Sequence, residues 1–188
     1  MSHALLQDPK FFSILLRIDE ELAAATQASR CACGGVLHRA NYPRKPRACL
    51  NEARADFASR FSFCCATCRK RTTSTSVRFL GRRVYLALAV VLGSARHAGQ
   101  NPAASKLSTT LNIPVRTLQR WRHWWSELFP LTPLWQSMGA RFMPPVTTDQ
   151  FPAGLLARFV GDAAEKLLRF LDFLRPLTVA VVSVPEGR

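Results

Sequence analysis

The chain has 188 residues, of which 48% are apolar, and this composition excludes an intrinsically disordered protein. It carries 26 basic and 12 acidic residues, a net charge of +14, and 21 of the basic residues are arginines. Because arginine binds phosphate through two parallel hydrogen bonds and stacks on bases, the charge favours a nucleic-acid partner over a merely solvated basic surface.

The charge is concentrated in the middle of the chain. Residues 30–83 carry a net charge of +11 and residues 84–144 carry +5, whereas residues 1–29 carry −2 and residues 145–188 carry none. The amino terminus does not have the pattern of a secretory signal, and the longest apolar run, residues 84–93, is too short to span a bilayer. We therefore expect a cytoplasmic, nucleoid-associated protein without a membrane partner.

The first predicted element is a helix over residues 9–27, within an amino-terminal segment of residues 1–29. Asp8 is a good N-cap, and Pro9 suits the first helical position. Apolar residues then recur at helical spacing as far as Leu22. This pattern predicts a packing role.

Residues 30–80 contain two close pairs of cysteines and predict a small β zinc ribbon. Cys31 and Cys33 precede two glycines, and Cys65 and Cys68 precede three cations. Two turns can supply four thiolates to one structural zinc ion, with no position left for a reactive water. Cys64 is an alternative to Cys65, and Cys49 or His38 could replace an upstream ligand. A disulfide framework and unliganded buried cysteines are the competing interpretations.

Three strands and a basic loop are expected in this ribbon. The strands are predicted over residues 36–42, 60–65 and 72–79, with Phe61 and Phe63 on one face and Arg60 and Ser62 on the other. Residues 42–47 contain two prolines and read as an extended loop. Cations of this loop and of the second cysteine turn are expected to contact a phosphate backbone without reading sequence. They are Arg44, Lys45, Arg47, Arg69, Lys70 and Arg71.

Residues 81–130 predict a helical domain with a helix-turn-helix. Helices are expected over residues 82–98, 102–111 and 115–129, with Ser108 at the helix crossing and Asn112 in the turn. The last of these helices would lie in the major groove, although an ordinary helical hairpin has the same pattern. The candidate DNA contacts are Arg116, Thr117, Gln119, Arg120 and His123. The nearby tryptophans are expected to pack in the core.

Residues 131–188 predict a proline-containing linker and an amphipathic helix over residues 152–175. Its apolar stripe either completes the core or binds a second copy or a partner protein, because amphipathicity does not say what covers the stripe. No enzyme signature is present, so we expect no catalytic residue, no small-molecule substrate and no cofactor other than zinc. The predicted fold class is α+β and mostly α.

The order of ribbon, apolar helix and helix-turn-helix over residues 31–125 resembles the amino-terminal region of insertion-sequence transposases and their small companion proteins. Residues 63–77 resemble the second half of the ribbon in that group, where an aromatic strand meets a cysteine pair such as Cys65 and Cys68 and is followed by basic and hydroxyl residues. Two features differ from that group: the first pair is spaced by one residue, and no ribonuclease-H-like domain follows. The resemblance implies DNA binding through the four cysteines and the helix from Val115, without strand-transfer chemistry.

The predicted function is therefore that of a zinc-stabilised, duplex-DNA-binding protein, transposon-associated or regulatory. Three alternatives remain: a protein-interaction adaptor, a non-catalytic subunit of a nuclease or transposase complex, and an RNA-binding module.

Overall fold

A computed structural model describes residues 2–46, 48–80, 86–95, 109 and 113–179. Within these residues the fold is α+β and mostly helical, with a small antiparallel sheet. The α-helices are α1 (Pro9–Ala28), α2 (Ala87–Ala95), α3 (Val115–His123), α4 (Pro133–Met138), α5 (Ala153–Leu156) and α6 (Ala163–Leu174). The strands are β1 (Leu37–Arg39), β2 (Tyr42–Pro43), β3 (Ser59–Arg60), β4 (Ser62–Cys65) and β5 (Arg71–Thr73).

Helix α1 agrees with its prediction. The Asp8 carboxylate accepts a hydrogen bond from the Lys10 amide at 2.9 Å, and Pro9 occupies the first turn, where a missing amide costs nothing. The helix packs Phe11 and Phe12 into a large apolar core and Ala23 into a second, smaller one. It therefore packs against both the large core and the smaller core beside the antiparallel sheet.

The observed strands are shorter than the predicted ones. The order is β1-β4-β5, all antiparallel, and β2 pairs with β3 separately. The single strand predicted over residues 36–42 is interrupted because the Asn41 carboxamide accepts a hydrogen bond from the Ser62 amide at 3.2 Å. The loop predicted from residue 42 begins instead with the short strand β2. Pro43 lies in the two-stranded sheet of β2 and β3, where its missing amide removes little of the strand pairing.

The strand predicted over residues 72–79 ends at Thr73 because the following backbone bonds to side chains. The Ser74 carbonyl accepts from Arg60 Nη2 at 2.7 Å, and the Val77 amide donates to Asp19 Oδ1 at 2.7 Å. These bonds replace a strand ladder, so residues 74–78 are irregular chain held to α1 through Asp19.

The predicted helix over residues 115–129 is helical throughout but changes its winding. Helix α3 ends at His123, and a π-helix (Trp124–Leu128) and a 3-10 turn (Phe129–Leu131) follow. Pro130 has no amide to continue the α-helical ladder, so the helix ends there. Helix α2 lies inside the predicted range of 82–98, while most of the predicted helix 102–111, with Ser108 and the turn at Asn112, lies outside the described residues.

The single helix predicted over residues 152–175 is wrong. Helices α5 and α6 are separated by Gly161, whose φ of 118° is accessible mainly to glycine. Asp162 then starts α6 with a capping box: its carboxylate accepts from the Glu165 amide at 2.9 Å, and Glu165 accepts from the Asp162 amide at 3.0 Å. Val160, which lies between α5 and α6 within the range of the predicted helix, is 68% exposed.

The apolar stripe of α6 is covered within this chain. Leu167, Phe170, Leu171 and Leu174 are buried in the large core. Trp125 is buried beside Phe170, with their rings stacked 5.9 Å apart, and Trp121 is buried on α3. These tryptophans therefore pack in the core, as expected. Binding of a partner through residues 152–175 stays a prediction and would use the other faces of these helices.

A buried ion cluster connects the two cores. Asp19 on α1 is fully buried, and its carboxylate accepts from Arg78 Nε at 2.7 Å and lies 3.9 Å from Arg60 Nη1. The Arg78 guanidinium also lies 4.7 Å from the Phe61 ring centroid and 5.1 Å from that of Phe57. Burial lowers the pKa of Arg60, and the charge of Asp19 opposes this change. Arg60, predicted on the strand face opposite Phe61 and Phe63, is only 1% exposed.

The same cluster includes hydroxyl groups from distant parts of the chain. Ser76 Oγ donates to Asp19 Oδ2 and accepts from the amides of Arg78 and Phe79. Thr178 Oγ1 accepts from the Ser76 amide at 3.1 Å and from Arg60 Nη2 at 3.4 Å. The cluster therefore joins α1, β3, the chain after β5 and the 3-10 turn Arg175–Thr178.

Candidate metal centre and basic surfaces

The four predicted cysteine ligands lie together. The sulfurs of Cys31, Cys33, Cys65 and Cys68 all lie within 4.8 Å of one another. Cys31 and Cys68 are 3.5 Å apart at Sγ, as are Cys33 and Cys65. Sulfurs bonded to one tetrahedral zinc at about 2.3 Å would lie about 3.8 Å apart, so this spacing is compatible with one metal ion.

Backbone hydrogen bonds shape both cysteine turns. The Cys31 amide donates to the Gly35 carbonyl at 3.0 Å, and Gly34 has a φ of 81°. In the second turn the Arg69 amide donates to the Cys65 carbonyl at 3.1 Å, and Arg69 itself has a φ of 60°. The Ala66 amide donates to the Val36 carbonyl at 2.9 Å, which joins the two turns. The sulfurs are thus brought together by the backbone.

The electrostatics of the cluster favour a thiolate at Cys65. The Cys68 amide lies 3.5 Å from Cys65 Sγ, and its hydrogen bond contributes most to lowering the pKa of the Cys65 thiol to about 6. The Lys70 amide lowers the pKa of Cys68, but the thiols of Cys33 and Cys31 outweigh it and raise that pKa to about 12. One sulfur is therefore ready to bind a cation, while a bound metal would displace protons from others.

The alternative ligands lie away from the cluster. Cys64 directs its sulfur to the Arg69 carbonyl at 3.5 Å, and it pairs across the sheet with His38, so both face away from Cys65. Cys49 packs against the large core, and burial raises the pKa of its thiol to about 11. Among the described residues, the group of cysteines and histidines that could hold a metal consists of the four predicted cysteines.

Two of the predicted phosphate contacts, Arg44 and Arg71, lie over the same aromatic ring. The Arg44 guanidinium carbon lies 4.9 Å from the Tyr42 ring centroid, and that of Arg71 lies 5.8 Å from it. Arg71, Lys45, Arg69 and Lys70 are exposed, and none of these four forms an ion pair with a described carboxylate. Arg47 lies outside the described residues.

The predicted contacts on α3 share one face, with one exception. Residues spaced by three or four positions lie on the same side of a helix, and four exposed candidates have that spacing. They are Arg116, Gln119, Arg120 and His123. Thr117 is buried beside Leu118, and its hydroxyl accepts from Arg120 Nη2 at 3.2 Å. Thr117 therefore does not belong to the exposed face, but its hydroxyl helps to orient the Arg120 side chain.

Sequence reasoning missed three contributors to these surfaces. Tyr42 was predicted only as the end of a strand and the start of a loop, and the buried pair of Asp19 and Arg78 was not predicted. Gly35 was noted only as one of two glycines after Cys33, although a Cβ atom there would lie 2.6 Å from Cys65 Sγ in the other cysteine turn. An aromatic residue between arginines was the available signal for Tyr42, but tertiary contacts alone reveal the other two.

Comparisons with protein-family models, with curated proteins and with solved structures found no match to this chain. Within the part of the chain that the structure describes, every helix is too short or too polar to cross a lipid bilayer.

Proposed function

We propose that this chain is a DNA-binding protein whose ribbon is held by one structural zinc ion. The observation that carries the proposal is the position of the cations: the turn that supplies Cys65 and Cys68 continues directly into exposed Arg69, Lys70 and Arg71. Four sulfurs suit zinc and leave no open coordination position, which favours a structural over a catalytic metal. The metal would order the turn that carries the cations.

The face of α3 supports sequence recognition as a second part of the proposal. Arginine recognises guanine and glutamine recognises adenine in the major groove, and exposed Arg116, Gln119 and Arg120 supply both side chains. Helix α3 packs on α2, where a Cβ atom on Gly93 would lie 3.2 Å from the Trp121 ring. This packing supports the helix from behind and leaves its polar face outward. The resemblance to transposase amino-terminal regions points to an element end or a promoter as the site.

The decisive experiment compares two arginine variants in DNA binding. Arg120→Ala should weaken binding to a selected duplex by about 1–3 kcal/mol and reduce discrimination against scrambled sequence. Arg71→Ala should weaken binding to all duplexes alike and lower the salt dependence, because it removes one phosphate contact. Arg17→Ala, an equal loss of charge on the exposed side of α1, is the matched control.

Three results would contradict the proposal. Binding that is absent in the wild type, even with zinc bound, would favour a protein-interaction adaptor or a non-catalytic subunit. Equal losses for Arg17→Ala and Arg71→Ala would mean that only net charge matters. Stronger competition by duplex RNA than by duplex DNA would favour the RNA-binding alternative.

A further inference from the structure

We propose that Tyr42 is a positioning residue that holds Arg44 and Arg71 as one subsite for the phosphodiester backbone of duplex DNA. The inference rests on the proposed function. It adds a neutral residue whose role is to hold two arginines in place for the DNA backbone. Two guanidiniums lie over one ring although they come from separate segments, Arg44 from the loop after β2 and Arg71 from the first position of β5.

Hydrogen bonds add to the ring contacts. Arg44 Nη2 donates to the Tyr42 hydroxyl at 3.4 Å, and Arg71 Nη1 donates to the Ala40 carbonyl at 3.0 Å. A guanidinium has five N–H donors. The other donors of Arg71 meet no protein acceptor among the described residues, so they remain available for phosphate oxygens.

The ring itself is fixed by the fold. Tyr42 pairs with Arg60 between β2 and β3, and Arg60 is buried by its contacts with Ser74 and Asp19. Arg71 pairs with Cys64 between β4 and β5. Strand pairing therefore fixes the backbone of both Tyr42 and Arg71.

This arrangement favours binding because the arginine side chains are ordered before the ligand arrives. A long side chain that is free in solution loses rotamer freedom when it binds, and stacking on the ring removes part of that loss in advance. Fixed guanidiniums also suit a phosphodiester chain, which presents an anion at every nucleotide and accepts paired hydrogen bonds. The ring therefore raises affinity for the backbone without adding sequence preference.

The test compares Tyr42→Leu with Tyr42→Phe in the full chain, by fluorescence anisotropy on short duplexes over a series of salt concentrations. Tyr42→Leu removes the ring and should weaken binding to every duplex by about three- to tenfold. Tyr42→Phe keeps the ring and should stay within about twofold of the wild type, since it removes the hydroxyl's hydrogen bonds to Arg44 and Arg60 but leaves both ring contacts. Zinc content measured on each variant reports whether the ribbon is folded.

A double-mutant comparison separates positioning from a general loss of structure. If Tyr42 acts through Arg71, Tyr42→Leu should cost less in an Arg71→Ala background than in the wild type, whereas independent effects add. Additive losses, equal losses for the Phe and Leu variants, or a Leu variant that binds like the wild type would each overturn the inference while leaving the proposed function intact. A wild type that binds no DNA would overturn both.

Discussion

At the scale of single residues, Gly35 lies where the two cysteine turns touch. A Cβ atom at this position would lie 2.6 Å from Cys65 Sγ and 2.7 Å from Thr67 Oγ1, which is closer than atoms pack without moving. Gly35→Ala should therefore separate Cys65 from the other sulfurs and weaken metal binding by at least about tenfold. Competition with a coloured chelator measures this loss.

Gly34→Ala is the matched control for that variant. Its Cβ would meet no atom within 4 Å, but its φ of 81° would strain an alanine by roughly 1–2 kcal/mol. We expect this control to lower the stability of the chain while keeping one metal ion per chain. Equal metal affinity in the two variants would show that the close approach of Gly35 does not matter.

Asp19 is the second residue whose replacement should have a large effect. Its carboxylate neutralises Arg78, which lies between aromatic rings, and it lies near Arg60. Asp19→Asn leaves two arginines buried without an anion, and breaking such a cluster costs about 3–5 kcal/mol. Urea denaturation monitored by circular dichroism gives the change in the free energy of unfolding.

Glu20→Gln provides the comparison because Glu20 is the exposed neighbour on the same helix. Surface substitutions of this kind change stability by no more than about 0.5 kcal/mol. If the two variants unfold at the same urea concentration, the buried ion cluster does not stabilise the native state.

At the scale of elements, the break between α5 and α6 depends on Asp162. Its carboxylate accepts hydrogen bonds from the amides of Ala164 and Glu165, which otherwise lack partners in the first turn. Asp162→Ala should cost about 0.5–2 kcal/mol of stability. Thermal unfolding measures the change, and Asp149→Ala, which removes an exposed carboxylate without a capping bond, should stay near the wild type.

The elements that were predictable are those defined by neighbouring residues. Helix α1 was found because Asp8 and Pro9 identify its start locally, and the cysteine cluster was found because ligand spacing on two turns restricts the geometry. The break before α6 was missed because an apolar stripe runs across it. Asp162 and Glu165, three positions apart, were a readable signal of a new helix start.

The elements that were not predictable depend on residues far apart in sequence. Arginine is usually exposed, so nothing local to Arg60 or Arg78 announces their burial. Strand β5 ends at Thr73 because of another contact between distant residues: the Val77 amide donates a hydrogen bond to Asp19 and not to a neighbouring strand. Such contacts follow from the tertiary arrangement and cannot be predicted from the strand propensity of single residues.

At the scale of the whole molecule, the two cores should respond differently to loss of metal. The smaller core consists of Ala23, Leu37, Phe61, Phe63 and Cys65, whereas the larger contains most buried residues. So small a core is expected to need the metal. Chelation should therefore unfold the part of the chain around the four cysteines and abolish the proposed DNA binding. The fluorescence of the four tryptophans, which all lie in or against the larger core, should stay unchanged. Retained DNA binding without metal would contradict this expectation.

The retention of metal should also depend on pH. Protons compete with the metal for sulfur, so the apparent metal affinity falls as the pH falls. Below about pH 6 the Cys65 thiolate is itself protonated, so the loss should become steeper there. Metal content after dialysis at a series of pH values measures this dependence, and Cys64→Ser, which leaves the cluster unchanged, should give the same curve as the wild type.

The contact between Thr178 and the buried ion cluster has a consequence for how the chain folds during synthesis. Asp19, Arg60 and Arg78 leave the ribosome early, whereas the hydroxyl that joins Ser76 to Arg60 is made about a hundred residues later. The nascent chain therefore cannot complete this hydrogen-bonded cluster until Thr178 has been made. Proteins terminated before residue 163, which also lack α6, should therefore be captured by chaperones or degraded.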